Sequence, residues 1–296
     1  MAKRRKPQQA RFVDSGKKKS SRPDPTSRAA TKTGIKKATS KSGPSRPPPP
    51  LKPTIPFEPH ERLLLIGEGD LSFAASLVTA HAVAYMVATV YEKDEAALLE
   101  KYPHAAAHIA AIAAAPGCRV QYGVDATRMP AMTYKPPPEA ASMGAVAAGK
   151  FDRILFNFPH VGGKSTDVNR QVRYNQELLV AFFTRALKSL APGGSVVVTL
   201  FEGEPYTLWN VRDLARHSGL QVERSFRFQA HVYPGYHHAR TLGVVRNKKS
   251  GEVGGGWKGE ERPARSYVFI KKGDTISGSL AKQSKKDFDS DDSDSD

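Results

Sequence analysis

The sequence predicts an α/β domain of three layers, with a mostly parallel sheet and an antiparallel C-terminal edge. Three observations predict it. Apolar runs of strand length alternate with stretches of helical period between Leu63 and Leu200. The first run, Leu63–Ile66, ends in the glycine turn Gly67-Glu68-Gly69-Asp70 and opens a helix. The last segments, Gln221–Ala230, Ala239–Val245 and Tyr267–Lys271, alternate or read as a closing strand, which suits antiparallel pairing.

In chain order, residues 1–56 are rich in Lys, Arg, Ser, Thr and Pro and end in a proline run at Pro47–Pro50. Large apolar residues are too sparse there to offset the entropy of ordering, so a disordered basic tail and stiff linker are expected. The folded domain is expected over residues 57–273. A helix from Ser72 to Ala80 follows the first strand, and Val83–Tyr91 is the second strand. A helix opens after Glu92-Lys93-Asp94 and carries Leu98, Leu99 and Tyr102; Ala105–Ala115 is helical by its alanines. Arg119–Val124 is the third strand, and residues 134–149, with a proline triplet, are a surface insertion. Phe151–Phe156 is the fourth strand. Asn175–Leu190 has helical period, with Leu178, Leu179, Phe182, Phe183, Ala186 and Leu187 on one face, and stops at Ala191-Pro192-Gly193-Gly194. The β-branched run Ser195–Leu200 is the fifth strand. Tyr206–Ser218 is a helix ended by Gly219, Arg246–Pro263 is a Gly- and charge-rich loop, and residues 274–296 form an acidic tail.

The formal charge is +16, unevenly spread. Residues 1–56 hold 16 Lys and Arg against Asp14 and Asp24, residues 274–296 hold three Lys against seven Asp, and about +6 is left for the middle. Such a tail suits a polyanion such as nucleic acid. The clusters Lys3-Arg4-Arg5-Lys6 and Lys17-Lys18-Lys19 resemble nuclear or nucleolar targeting segments; a merely solvated tail is the alternative. The single cysteine, Cys118, excludes an internal disulfide framework and a multi-cysteine zinc site. No apolar run approaches the roughly 20 residues that span a bilayer, so no membrane contact is expected.

In an open parallel sheet, ligands bind beyond the carboxyl ends of the strands. Gly67, Glu68, Gly69 and Asp70 end the first strand, Glu92 the second, Asp125 the third, Asn157 to His160 the fourth and Phe201-Glu202 the fifth. Ser72 stands where a dinucleotide fingerprint wants its third glycine, and acids repel a pyrophosphate. Glu92 lies 23 positions past Gly69, near the ~20-residue offset at which an acid meets ribose hydroxyls. Acids after three strands on one rim suit a cationic, hydroxyl-bearing ligand, which favours S-adenosyl-L-methionine over a nicotinamide dinucleotide. Taken singly, Glu92 is as readily a helix cap and Asp125 a turn residue.

Asn157-Phe158-Pro159-His160 is similar to the Asn-Pro-Pro-aromatic motif of amino-methylating nucleic-acid enzymes, with Phe158 and His160 as departures. Asn157 can donate to and accept from an imide edge. Pro159 sits between the two polar groups, and His160 can stack or accept a proton.

Six motifs in order carry a wider resemblance: GEGDLSF at 67–73, the strand-two acid leading to Lys101-Tyr102-Pro103, GVDAT at 123–127, FDRILFNFPHVGG at 151–163, GEPYTLWN at 203–210 and YPGYHHARTLG at 233–243. Over about residues 60–271 the chain resembles the fungal 25S rRNA uridine-N3 methyltransferases, with their Rossmann-like methyltransferase domain. The resemblance implies S-adenosyl-L-methionine as methyl donor, large-subunit rRNA as substrate and a nucleolar location. Gly67 to Asp70 match its cofactor loop and Asn157 to His160 its motif after the fourth strand; Arg246–Pro263 departs as a longer loop.

Uracil N3 is a poor nucleophile while protonated, and it lies on the pairing edge. The base must therefore be unpaired or flipped and must lose a proton. Asn157 is expected to orient the imide edge, His160 to stack or accept the proton, and Glu204 is a second base candidate. Tyr206, Tyr233, Tyr236, His237, His238 and Arg240 are expected to contact RNA, while Trp209 suits core packing better. The adjacent pair His237-His238 is not metal-ligand spacing, and no metal is expected. A monomer is expected. A non-catalytic rRNA-binding assembly factor and an NAD-dependent oxidoreductase remain the alternatives.

Overall fold

The computed structural model describes residues 53–138, 147–163, 165–241, 243 and 259–274. Residues 1–52 and 275–296 of the expected tails, the centre of the 134–149 insertion and residues 246–258 lie outside them.

Seven strands form one sheet in the order β3-β2-β1-β4-β5-β7-β6. They are β1 (Arg62–Leu65), β2 (Tyr85–Thr89), β3 (Cys118–Gln121), β4 (Phe151–Asn157), β5 (Leu190–Phe201), β6 (Leu220–Arg227) and β7 (Ala264–Lys271). β1 pairs parallel with β2 and β4, β2 with β3, and β4 with β5. β7 runs antiparallel to both of its neighbours. Antiparallel pairing at the C-terminal end was expected; β7 inserts between β5 and β6, so β6 takes the outermost place.

The strand runs read as continuously apolar because both faces are covered. Leu64 and Ile66 point into one core with Phe156, Phe182 and Phe183. Leu63 and Leu65 point into the other with Phe73, Leu77 and Ile112. Helices α1 (Ser72–His81), α2 (Glu95–Lys101) and α3 (Ala105–Ala113) precede β4; α4 (Val168–Ser189) and α5 (Val211–His217) follow it. α1 and α3 supply the Leu63 side, while α4 and α5 supply the Leu64 side through Leu179, Phe182, Phe183, Val211 and Ala215. Each fully buried Leu or Phe contributes roughly 2 kcal/mol of apolar burial, so this alternation fixes the register of β1.

Several elements differ from the sequence reading. α4 starts at Val168, not Asn175, because Asp167 caps it by accepting from Arg170 N at 2.9 Å. β5 starts at Leu190, since the Pro192–Gly194 stretch bulges within the strand instead of ending the element before it. The helix expected over Tyr206–Ser218 splits into a 3-10 turn, Thr207–Trp209, and α5, because Asn210 lies at φ 50°. Ala239–Thr241 is not a strand. The chain from Tyr233 to Thr241 instead crosses the start of α1. Ser72 Oγ donates to His237 O at 3.0 Å and accepts from His237 N at 3.1 Å, and Tyr102 OH donates to Arg240 O at 2.5 Å. Side chains replace the ladder there.

The strand order reverses between β1 and β4. Their carboxyl ends diverge into a crevice, where such sheets place ligands.

Candidate active site

A cavity of about 360 Å³ opens at that crevice. Gly67, Glu68, Gly69 and Asp70 line it from β1, Glu92 from β2, Asp125 beyond β3, and Asn157 and His160 from β4. The polar rim residues named after the first four strands therefore meet at one place, whereas Phe201 and Glu202 after β5 are not among the lining residues. Pro159 is buried and is not among the lining residues.

The glycine turn is held from β2. Thr89 Oγ1 accepts from Gly67 N at 3.3 Å and donates to Leu65 O at 2.9 Å. Gly67 has φ 65°, and a Cβ on it would stand 2.7 Å from the Phe156 ring; a Cβ on Gly69 would stand 2.8 Å from Ala239 Cβ. These glycines admit β4 and the crossing Tyr233–Thr241 chain, the close approach that only glycine allows.

The acids differ in what they hold. Asp70 Oδ1 accepts from Ser72 N at 3.0 Å, Oδ2 lies 2.9 Å from His104 Nε2, and its carbonyl lies 2.7 Å from His108 Nδ1. Glu68 is 8% exposed, and its Oε2 accepts from Ala74 N at 3.2 Å. Both thus satisfy free N–H groups at the start of α1, whose N-cap, Leu71, has no side chain to do so. Burial pushes the Glu68 carboxyl up to about 8, against the pull of the Ala74 hydrogen bond, and the Asp70 charge adds to the rise. Glu92 Oε1 accepts from Lys101 Nζ at 2.6 Å. Asp125 Oδ1 accepts from Thr127 N at 2.8 Å and from Thr127 Oγ1 at 2.7 Å, so it also closes its own turn.

On the β4 side the chemistry is neutral. Asn157 Oδ1 accepts from Thr199 Oγ1 at 2.8 Å, and Thr199 lies 2.9 Å from Ser266 Oγ of β7. β5 and β7 thereby fix the amide with its NH₂ left for the cavity. Phe158 has φ 50°, a left-handed conformation that costs a bulky residue on the order of 1 kcal/mol or more. Its ring is boxed by Phe201 at 4.5 Å, Phe228 at 5.5 Å and His238 at 4.4 Å. His160 Nδ1 accepts from Gly162 N at 2.9 Å, and burial lowers its pKa. The neutral ring then carries its proton on Nε2. Nε2 is then the ring nitrogen that His160 turns to a ligand, and it carries a donor in the neutral ring.

Other expected residues scatter. Tyr233, 5% exposed, stacks on Phe228 at 5.5 Å and 14° in the core, because the crossing chain folds its ring inward. Tyr236 lines the cavity instead of an outer surface, its hydroxyl 3.0 Å from His238 Nδ1 and pushed well up by burial. Tyr206 is half-buried against Phe201 and Trp209, under the Arg262 guanidinium. Trp209 is buried, as expected. His237 and Arg240 are exposed. Glu204 is exposed and lies outside the lining residues, so the β5 loop holds no base at the cavity.

Sequence reasoning missed Tyr91, a 70%-exposed ring on the cavity wall, although its place directly before Glu92 at the end of β2 was a usable signal. It also undervalued His238, which lines the cavity between Phe158 and Phe201 and is driven down to about 4 by burial. No local pattern marks it.

The family described as rRNA (uridine-N3-)-methyltransferase BTM5-like matches residues 64–240, the span that contains every β1, β2 and β4 residue of the cavity. The chain is 30% identical over 281 residues to the 25S rRNA (uridine(2634)-N(3))-methyltransferase of Saccharomyces cerevisiae, covering 80% of each chain. It is 33% identical to the mouse ferredoxin-fold anticodon-binding domain-containing protein 1 homolog, over 59% of this chain and 27% of that one. Among solved structures, a methyltransferase from Pyrococcus furiosus aligns at 19% identity with a TM-score of 0.39, over 73% of this chain and 77% of that one. The chain belongs to the BTM5-like rRNA (uridine-N3-)-methyltransferase family.

Proposed function

We propose that the protein methylates N3 of a uridine in large-subunit rRNA, with S-adenosyl-L-methionine as donor. The observation that carries this reading is the meeting of Glu68, Asp70, Glu92 and Asn157 around one cavity at the switch point of the sheet. The volume fits one cofactor-sized ligand, and buried acids suit a cation while repelling a pyrophosphate. S-adenosyl-L-methionine supplies, when bound, a methyl group on a positively charged sulfur that is already an activated leaving group.

Each side chain has a stated task. Asp70 places a carboxylate beside the first glycine turn, and Glu68 a second, buried carboxyl. Glu92, steadied by Lys101, and Asp125 offer carboxylate oxygens for hydroxyls. Tyr91 gives a flat face for a heterocycle. The Asn157 amide NH₂ and the His160 Nε2–H are donors suited to the carbonyl oxygens that flank uracil N3. Hydrogen bonds there stabilise the imide anion left when N3 gives its proton to solvent, and a fixed dipole does so without reorganising. Thr199 and Ser266 keep the amide fixed. The donors thus ease deprotonation, and the cavity aligns the nitrogen with the methyl group. His237 and Arg240, exposed beside the mouth, are placed for phosphate contacts.

The test is direct. Incubated with S-adenosyl-L-methionine and unmodified rRNA, the protein should generate 3-methyluridine detectable by nucleoside mass spectrometry; a different methylated base, or none, would refute the reading. The basic clusters before residue 20 support a nucleolar site of action. A fusion lacking residues 1–50 should leave the nucleolus, and its retention there would count against that placement.

A further inference from the structure

Glu68 and Asp70 share one turn but not one electrostatic setting. Asp70 has His104 and His108 against it. Glu68 receives only the Ala74 N–H, and among the described residues no Lys, Arg or His bonds or pairs with it. Its ionisable surroundings are Asp70 on the same turn and the Tyr236 hydroxyl from the crossing segment. Across the cavity stand Glu92 with Lys101, Asp125, His237 and His238. A carboxylate at 8% exposure with acids and a phenol for company lacks a counter-ion, yet it lines a cavity open to a ligand.

We propose that Glu68 is a proton-exchanging counter-ion for the methyl donor: it is a neutral acid in the empty cavity and becomes a carboxylate when a ligand cation takes the proton's place. This rests on the reading that S-adenosyl-L-methionine is the ligand. The exchange is balanced: one cation enters beside the carboxyl, and one proton leaves to solvent. Burial, which raises the Glu68 carboxyl to about 8, sets the range in which the exchange is visible. The cation is either the sulfonium, which disappears on methyl transfer, or the amine, which does not. If it is the sulfonium, Glu68 takes its proton back as the neutral thioether forms, and the charge that held the donor no longer holds the product.

Calorimetric titration in two buffers of different ionisation enthalpy counts the protons released. S-adenosyl-L-methionine should release close to one proton per site near pH 7, and if the cation is the sulfonium the Glu68 contribution should tighten its Kd about tenfold from pH 7 to pH 9, the change in carboxylate fraction for a group near 8. The ligand amine titrates in the same range, so the difference between wild type and Glu68→Gln is the reading that counts; Gln keeps the acceptor for Ala74 N. The variant should release fewer protons and lose the Glu68 share of the pH dependence. S-adenosylhomocysteine separates the two cations: release with the donor alone identifies the sulfonium, and release with both identifies the amine. Equal proton release by wild type and Glu68→Gln overturns the proposal. If that variant does not fold, the absence of proton release when wild type binds the donor at pH 7 overturns it. Absence of donor binding at every pH would instead sink the cofactor assignment.

Discussion

The turn after β1 and the turn after β4 face each other across the same crevice, and they are built from opposite materials. The first holds two buried acids folded back onto the start of α1. The second holds no charge; it offers an amide held from β5 and β7 and a histidine kept neutral by burial. On the proposed reading, the first side suits a cation and the second a planar, uncharged edge with carbonyls. That difference would let one cavity order two unlike partners, the donor by charge and the acceptor by directional hydrogen bonds.

Variants that separate the two sides test this division. Asn157→Ala should have the largest effect, lowering the methyl-transfer rate by ~100-fold or more, the usual loss of a preorganised donor. Donor Kd should change less than twofold by calorimetry. A matched loss of donor affinity would merge the two sides. Thr199→Val removes the hydroxyl that aims Asn157 but keeps the shape. A rate loss of about tenfold, again with unchanged donor binding, is expected; a wild-type rate would mean that the amide needs no anchor.

His104→Ala strips Asp70 of its partner without touching the β4 turn. Donor Kd should weaken by about fivefold while the rate at saturating donor stays constant, because a charge-assisted contact of 1–2 kcal/mol next to the site is lost. His160→Gln keeps a donor but cannot titrate. With His160 held neutral, wild type and variant should share one pH profile from pH 6 to 8, and a wild-type limb that vanishes in the variant would restore a proton-transfer role. Tyr233→Phe should do least, leaving RNA affinity within twofold in a filter-binding assay, since that ring lies in the core.

The strands, their order along the chain and the polar residues at their ends were legible from residue to residue. A strand buried on both faces is written as a short apolar run, and the residues just past the run lie on the ligand-bearing rim. Glu68, Asp70, Glu92, Asp125, Asn157 and His160 were found in that way. Element starts were less legible: capped by Asp167, α4 begins at Val168, seven residues before Asn175, and Asn210 broke a helical pattern through its backbone angle. Tyr233 and Glu204 looked like site residues by type, yet one turned into the core and the other stayed clear of the cavity.

The sequence by itself determined the layered fold, the place of the cavity and the acidic character of its β1 side, because hydrophobic period and strand-end position are local properties. Tertiary structure alone decided how those groups act. Thr199 orients Asn157 from 42 residues away, His104 reaches Asp70 from 34 residues away, and Ser72 clamps His237 across 165 residues. Hydrogen-bond partners and burial are set by what the chain brings together in space, and they determine which acid keeps a counter-ion and which histidine nitrogen keeps a proton.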